Sequence, residues 1–141
     1  MALNQPIPNP ITNNTPLYAG QILLFALQAA NFQLTTDQPF AKQFSGTNYQ
    51  VTSVVARPRS GAASVACAGG IYDAVGKSGN IIVLAAASWV ALSFTASPPV
   101  SVNPAVNLLA SVLANLPILS LTTGSTAAIT ADVFIYGYDL T

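Results

Sequence analysis

Residues that could carry out acid–base or nucleophilic chemistry are few in this chain. It has 141 residues, of which four are basic and four acidic, and it contains neither histidine nor glutamate. That composition excludes a histidine general base, a histidine-ligated metal and glutamate acid chemistry. The formal net charge of zero also provides no basic field for a nucleic acid, so we predict no nucleic-acid partner.

Residues 76–78, with the sequence Gly-Lys-Ser, match the last three positions of a phosphate-binding loop. A P-loop places four residues between its first glycine and this tripeptide, whereas five residues separate Gly70 from Gly76. The residues that follow, 79–83, are a poor helix start, although a helix N-terminus must point at the phosphate. We therefore interpret residues 76–80 as a hairpin turn.

The other candidates for catalysis or metal binding are isolated. Lys77 and Ser78 are adjacent on a predicted turn, and this spacing does not bring their side chains together. Cys67 lies in an alanine-rich stretch with no basic neighbour to lower its pKa, so we predict a small buried hydrophobe. The aspartates, which lie at positions 37, 73, 132 and 139, do not cluster as a cation site requires. We predict no enzyme activity, no cofactor and no metal.

The aromatic side chains leave two interpretations open. Five of them could form a surface on which sugar rings stack, or they could belong to the core, which aromatic residues dominate in small β domains. Exposed tyrosine and tryptophan are also favoured at subunit interfaces. The five are Trp89, Phe94, Phe134, Tyr136 and Tyr138.

The balance of hydrophobic and charged residues indicates a protein that associates with itself. Hydrophobic residues make up 52% of the chain and charged residues 6%, against about 25% charged in an average soluble domain. An isolated monomer would expose a large apolar surface, so we predict a homo-oligomer. The longest apolar run, 81–96, is shorter than the about 20 residues of a membrane-spanning helix, and residues 1–5 lack a signal-peptide pattern. We expect no membrane partner.

Strand-like segments separated by turn residues fill most of the chain, which predicts an all-β fold, either a single β-sandwich or a jelly-roll-like barrel. The Gly69-Gly70 pair within a strand indicates a bulge or the close approach of another backbone. Residues 108–116 are the one plausible helix, although the alanine-rich segments 81–86 and 89–95 could also be helical. The predicted strands are 21–27, 31–36, 49–56, 63–75, 81–86, 89–95, 118–122 and 129–138, with turns at 37–39, 57–61, 76–80 and 123–126.

The first sixteen residues differ from the rest, because they contain four prolines and three asparagines among residues 6–16. Proline at this density prevents helix and ladder pairing, so residues 1–16 form either an extended, polyproline-like arm or a disordered terminus. Leu3, Ile7 and Ile11 recur every four residues and are candidate apolar anchors that contact an adjacent protomer or a larger lattice. We assign residues 17–141 to one β-sandwich domain.

Two segments resemble small virion structural proteins of tailed bacteriophages. They are Ala68–Leu92, with the sequence AGGIYDAVGKSGNIIVLAAASWVAL, and Leu119–Leu140, with the sequence LSLTTGSTAAITADVFIYGYDL. The resemblance, which extends from Tyr49 to Leu140, is to capsid decoration (cement) proteins. It implies a homotrimer on the capsid surface of a virion, bound to the major capsid protein, with no active site. The alternatives are a tail or baseplate structural protein and a β-sandwich carbohydrate-binding module for receptors.

Overall fold

The computed structural model describes residues 20–108 and 111–140 of the chain. These residues contain no α-helix and form eight β-strands, which confirms the prediction of an all-β fold. The strands are β1 (Ile22–Asn31), β2 (Gln38–Pro39), β3 (Ala41–Lys42), β4 (Tyr49–Gly61), β5 (Ala68–Ala74), β6 (Ser78–Val83), β7 (Ile118–Thr123) and β8 (Ile129–Asp139).

The strands form two antiparallel four-stranded sheets around one core, which is the arrangement of a β-sandwich. Sheet A has the strand order β3-β1-β8-β4 and sheet B the order β2-β7-β5-β6. Alternation along β8 follows the sequence pattern, since every second side chain from Ile129 to Ile135 is buried. The core includes Leu24, Val54, Val133 and Ile135 from sheet A and Ile71, Ile82, Leu119 and Leu121 from sheet B.

The glycine pair in β5 is explained by the close approach of two neighbouring backbones, as predicted. A Cβ atom on Gly69 would lie 2.3 Å from the Cα of Leu121, and one on Gly70 would lie 2.4 Å from the carbonyl oxygen of Val83. These contacts join β5 to β7 on one side and to β6 on the other. Any larger residue would push the strands of sheet B apart.

The predicted strand at 31–36 and the predicted turn at 37–39 are wrong. β1 ends at Asn31, whose side-chain oxygen accepts a hydrogen bond from the amide of Gln33 and so starts a turn. Gln38 and Pro39 then pair with β7. The Gln38 side chain also donates to the backbone oxygen of Asn31 and accepts from its amide, which satisfies the end of β1.

The predicted strand end at 57–61 is also wrong, because β4 continues to Gly61 alongside β8. β4 lies at the edge of sheet A, where a proline is tolerated since only one side of the strand pairs with another strand. Pro58 therefore lies within the strand without ending it, and a register shift follows between Pro58 and Ser60.

The segment between β6 and β7 is irregular where the sequence predicted a strand at 89–95 and a possible helix at 108–116. Trp89 and Leu92 are both buried, and the amide of Leu92 donates to the carbonyl of Trp89, so this stretch turns instead of extending. Only part of the predicted strand at 81–86 forms, because β6 ends at Val83. Residues 111–116 contain no helix, and Leu113 forms a β-bridge with Tyr49.

Candidate interaction surface

Two aspartates that a metal or catalytic site could have used hold the β5–β6 hairpin instead. The carboxylate of Asp37 accepts hydrogen bonds from the amide of Gly76 at 2.8 Å and the hydroxyl of Ser120 at 2.7 Å. These two bonds lower the pKa of Asp37 below its ordinary value. The buried carboxylate of Asp73 accepts from the backbone and side-chain amides of Asn80, at 2.6 and 2.8 Å.

The Gly-Lys-Ser tripeptide belongs to a strand–turn–strand unit, as predicted. Gly76 and Lys77 both have positive φ, at 69° and 60°, which suits a tight hairpin. The Nζ of Lys77 lies 3.3 Å from the carbonyl oxygen of Thr35, and the hydroxyl of Ser78 donates to the carbonyl of Val75 at 2.7 Å. The two side chains therefore bind backbone oxygens at different places.

Cys67 is buried in the core, as predicted. Its Sγ lies 3.7 Å from the carbonyl oxygen of Phe32, and burial raises the pKa of its thiol. A buried, protonated thiol is a poor nucleophile, so the chemistry available to this residue is that of packing.

Asp132 stabilises an irregular point in sheet A. Its Oδ1 accepts hydrogen bonds from the amide of Ala29 at 2.8 Å and from the guanidinium of Arg59 at 2.9 Å. Ala29 has a φ of 54° at the register shift between β1 and β8. Burial alone would raise the pKa of Asp132, but the amide and the guanidinium outweigh it and lower the pKa. Within residues 20–108 and 111–140, no three cysteine or aspartate side chains group as metal ligands.

The long connection between β6 and β7 forms one of two surfaces that could bind a partner. We call residues 84–108 and 111–117 the uncharged wall. Backbone hydrogen bonds join it to both sheets: Val102 exchanges two with Ala56 of β4, and the amide of Asn107 donates to Ile82 of β6. The wall thus closes the side of the sandwich between the two edge strands.

The wall exposes apolar side chains in a part of the chain without charge, since residues 78–131 contain no charged residue. Six of the thirteen large apolar or aromatic side chains exposed in the described residues belong to it. One of them, Leu84, lines an open depression of about 250 Å³ together with Ala87 and Pro104. The six are Leu84, Val90, Phe94, Val100, Val112 and Leu116.

Buried residues of the wall hold these exposed ones in place. The side chain of Trp89 is fully buried, its ring packs edge-on against Phe32, and its Nε1 donates to the carbonyl of Gly69 at 3.1 Å. Leu92 is equally buried; the exposed Val90 is adjacent to Trp89 in sequence, and the exposed Phe94 is two residues from Leu92. The surface is therefore a fixed one.

The outer side of sheet A is the second candidate surface. Alternate residues of β8 point away from the core, and the cross-strand neighbours of Phe134 and Tyr136 are apolar or hydroxyl-bearing, whereas Tyr138 pairs with Gln50. The rings of Phe134 and Tyr136 lie 6.5 Å apart. We call this surface the aromatic face, and it comprises Leu23, Ser53, Val55, Phe134, Tyr136 and Tyr138.

Charge is present at one end of the aromatic face only. Arg57 pairs with Asp132 across β4 and β8, and Arg59 forms the ion pair with Asp132 described above. The sequence pattern predicts a turn at these arginines, which the structure replaces with a strand. The continued alternation of exposed and covered residues through Arg59 was the signal that could have placed them on the sheet.

The structure places the five aromatic residues, for which the sequence left a sugar-stacking surface or a core position open, in three different locations. Trp89 belongs to the core, and Phe94 is exposed on the uncharged wall. Phe134 and Tyr136 are half-buried and Tyr138 is exposed, all on the aromatic face. The predicted anchors, Leu3, Ile7 and Ile11, lie outside the described residues.

No known protein family, curated protein sequence or solved structure matches this chain. In the part of the chain that the structure describes, there is no helix with the length and hydrophobicity needed to cross a membrane.

Proposed function

We propose that this protein is a non-catalytic structural component of a virion, a capsid decoration (cement) protein that binds the major capsid protein as a homotrimer. The observation that carries the proposal is the uncharged wall, a fixed surface of exposed apolar side chains. Permanent protein interfaces are large and apolar, and this wall has the composition of one. The resemblance to small phage virion proteins supplies the class of partner.

The strand order supports a jelly roll, a fold that viral capsid proteins and lectins use. The order of strands within the two sheets, β1-β8-β4 and β2-β7-β5-β6, is that of a jelly roll if the wall takes the place of a fourth strand beside β4. The antiparallel bridges of Val102 to Ala56 and of Leu113 to Tyr49 lie at that position. The wall is then a jelly-roll strand that has become irregular and apolar on its outer side. Fold likeness alone does not give function, so this support is secondary.

Binding would act on the capsid through mass action. A protein that binds the assembled lattice and not the free coat subunits stabilises the lattice by its binding free energy. Each trimer would bury its apolar surface against its own subunits and several coat subunits. Leu3, Ile7 and Ile11 would add contacts from the N-terminal arm.

The test is sedimentation of the purified protein with capsids assembled from the major capsid protein alone. We expect the wild-type protein to sediment with capsids and the variant with Val90→Asp and Phe94→Asp to stay in the supernatant. Leu34→Asp is the matched control, because Leu34 is 45% exposed, close to the 47% of Val90, but lies outside the wall. Equal capsid binding by all three proteins would contradict the role of the wall, and no binding by the wild-type protein would contradict the function.

The oligomeric state gives a second test. Light scattering of the dilute protein should give a mass three times the 14.5 kDa of the chain. A mass of 14.5 kDa would contradict the homotrimer without bearing on the fold.

The aromatic face favours one alternative function, a carbohydrate-binding module. Its neighbouring rings could stack on sugars, and Asp132 and Arg57 at one end could bind hydroxyl or carboxylate groups. Glycan-array binding that is lost in Tyr136→Ala and kept in Val90→Asp would favour this function. A tail or baseplate location would instead appear as binding to tail structures in the sedimentation experiment.

A further inference from the structure

The edge of β4 that faces away from β8 is bonded to the uncharged wall in some places and not in others. Ala56 exchanges two backbone hydrogen bonds with Val102, and the chain next bonds to the wall beyond the end of β4, where the carbonyl of Ala62 accepts from the amide of Phe94. Within residues 20–108 and 111–140, residues 57–61 pair with β8 and form no backbone hydrogen bond on the opposite side. We call residues 57–61 the open edge, and we infer that its sequence prevents a strand of a second copy from pairing with it.

The open edge is long enough to accept a strand. Five residues of a strand span about 17 Å at ~3.4 Å per residue, and five to six residues is the ordinary length of a strand. An unpaired edge of this length offers its backbone groups to a strand of another chain. A second copy of the protein carries the same edge, so two open edges running antiparallel would join two copies of sheet A.

Pro58 removes a hydrogen-bond donor from the open edge. Both backbone groups of Ala56 point away from β8, because they bond to Val102 of the wall. The register with β8 is continuous from Ala56 to Pro58, and direction alternates along a strand, so the backbone nitrogen of Pro58 points the same way. Since proline has no N–H, the position that would donate the first hydrogen bond to an added strand cannot do so.

Two arginines beside the proline oppose a second copy through their charge. Arg57 and Arg59 are both exposed, and the guanidinium of Arg59 bonds the carboxylate of Asp132 at 2.9 Å. Antiparallel pairing of two open edges would gather the four guanidinium groups and two carboxylates of these residues along one short ladder. Positive charge would remain in excess there, and like charges on opposed strands destabilise their pairing.

The backbone of the open edge is also irregular. Its register with β8 shifts between Pro58 and Ser60, and Gly61 has a φ of 102°, which favours glycine. A register shift of this kind bends and twists the strand that contains it. An added strand would therefore lose alignment over the second half of the open edge. The missing donor, the charges and the bend all act against pairing on the same five residues.

This inference limits the ways in which copies of the chain can associate. With the open edge blocked, sheet A of one copy does not continue through it into sheet A of another. Association is then left to side-chain surfaces such as the uncharged wall and the aromatic face. The inference does not rest on the proposed function, because it concerns a sheet edge and would hold for any partner of those surfaces.

Light scattering after size-exclusion chromatography, over a range of protein concentrations, tests the inference. The variant with Arg57→Thr and Pro58→Thr restores a backbone donor and removes one charge, while the ion pair of Arg59 is kept. We expect its mass to reach about twice that of the wild-type protein as the concentration rises, because two open edges can then pair. Pro99→Thr is the matched control, since Pro99 is exposed and lies in the wall outside any strand, and its mass should equal that of the wild-type protein.

Amide hydrogen exchange of the same variant locates the contact. The amide that Pro58→Thr introduces should exchange about tenfold more slowly at high protein concentration than at low, because it would donate to the added strand. Circular dichroism checks that each variant folds. Pro58→Ala, which restores the amide with little added bulk, is measured in parallel and should change in the same direction.

Three results would overturn the inference. The first is a wild-type mass for the folded variants at every concentration, and the second is a gain in mass without slower exchange of the amide at position 58. The third is an equal gain in mass by Pro99→Thr. None of these results bears on the sedimentation of the protein with capsids, so failure of the inference and failure of the proposed function remain distinguishable.

Discussion

The uncharged wall and the aromatic face both expose apolar side chains, but the chain builds them in opposite ways. The face consists of neighbouring strands that pair along most of their length, with two register shifts in each pairing. The wall has no regular strand and is joined to the sandwich by isolated bridges and by buried side chains such as Trp89. The shape of the face thus depends on the backbone, whereas the shape of the wall depends on a few side chains.

Substitutions on the two surfaces should therefore change the stability of the fold by different amounts. On the face, outward-pointing side chains can be changed at small cost, because the ladder beneath them remains. In the wall, exposed and buried residues alternate irregularly within one segment, so the loss of a single anchor displaces the exposed surface around it. We expect the largest effects from the wall's anchors and the smallest from outward-pointing residues of either surface.

Trp89→Ala should have the largest effect. The substitution removes a fully buried ring and leaves the carbonyl of Gly69 without the indole N–H that it accepts. We expect a loss of about 3–5 kcal/mol in the free energy of unfolding, as for other buried aromatic residues. Denaturant unfolding followed by circular dichroism measures it.

Val90→Ala is the control for the tryptophan substitution. Val90 is adjacent in sequence but 47% exposed, so its truncation should change the free energy of unfolding by less than about 0.5 kcal/mol. Similar losses for the two substitutions would show that the wall is not held by its buried anchors.

The sequence was sufficient to predict the parts of the fold that alternate regularly. β8 matched its prediction because its residues alternate without interruption and lie in the middle of sheet A. The hairpin at Gly76 and the close approach at Gly69 also followed from residue type, since glycine meets backbone requirements that are local.

The wall could not be predicted from local pattern. Its alanine-rich sequence suits a strand or a helix equally, and the choice was made by tertiary contacts, with Trp89 and Leu113 reaching the core. The continuation of β4 past Pro58 depends on its position at a sheet edge, which a single strand's sequence does not reveal. The two surfaces could not be predicted for the same reason, because the exposure of a side chain depends on which other elements of the fold cover it.

Asp132→Ala should have the next largest effect, this time on the aromatic face. It leaves the amide of Ala29 and the guanidinium of Arg59 without their acceptor at the irregular point of β1. We expect a loss of about 1–2 kcal/mol, since the acceptor is charged but partly exposed. Arg59→Ala removes only the ion pair and should cost less than about 1 kcal/mol. Equal losses would mean that the Ala29 bond contributes nothing.

Acid should lower the free energy of unfolding through the carboxylates of Asp132 and Asp37. Both have a pKa below the ordinary value of 3.8 in the folded chain, so the unfolded state binds more protons as the pH falls. Their contribution is complete above that value and is lost as the pH decreases through the lowered pKa values. Denaturant unfolding measured from pH 6 to about pH 2.5 should show this decline. A variant with Asp37→Asn and Asp132→Asn should show a flatter pH dependence, and an unchanged slope would contradict the assignment.

The smallest effects should come from outward-pointing residues, and here the two surfaces should differ only slightly. Tyr136 lies in a cross-strand row with Leu23 and Ser53, so Tyr136→Ala should cost up to about 1 kcal/mol in the free energy of unfolding. Val112, which is 63% exposed on the wall, has no such row, and Val112→Ala should stay within about 0.5 kcal/mol. Both are measured by denaturant unfolding at a protein concentration low enough to separate folding from association. If Val112→Ala were the more destabilising of the two, the wall would be packed by a partner copy even at that dilution, and its surface would be part of the folding unit.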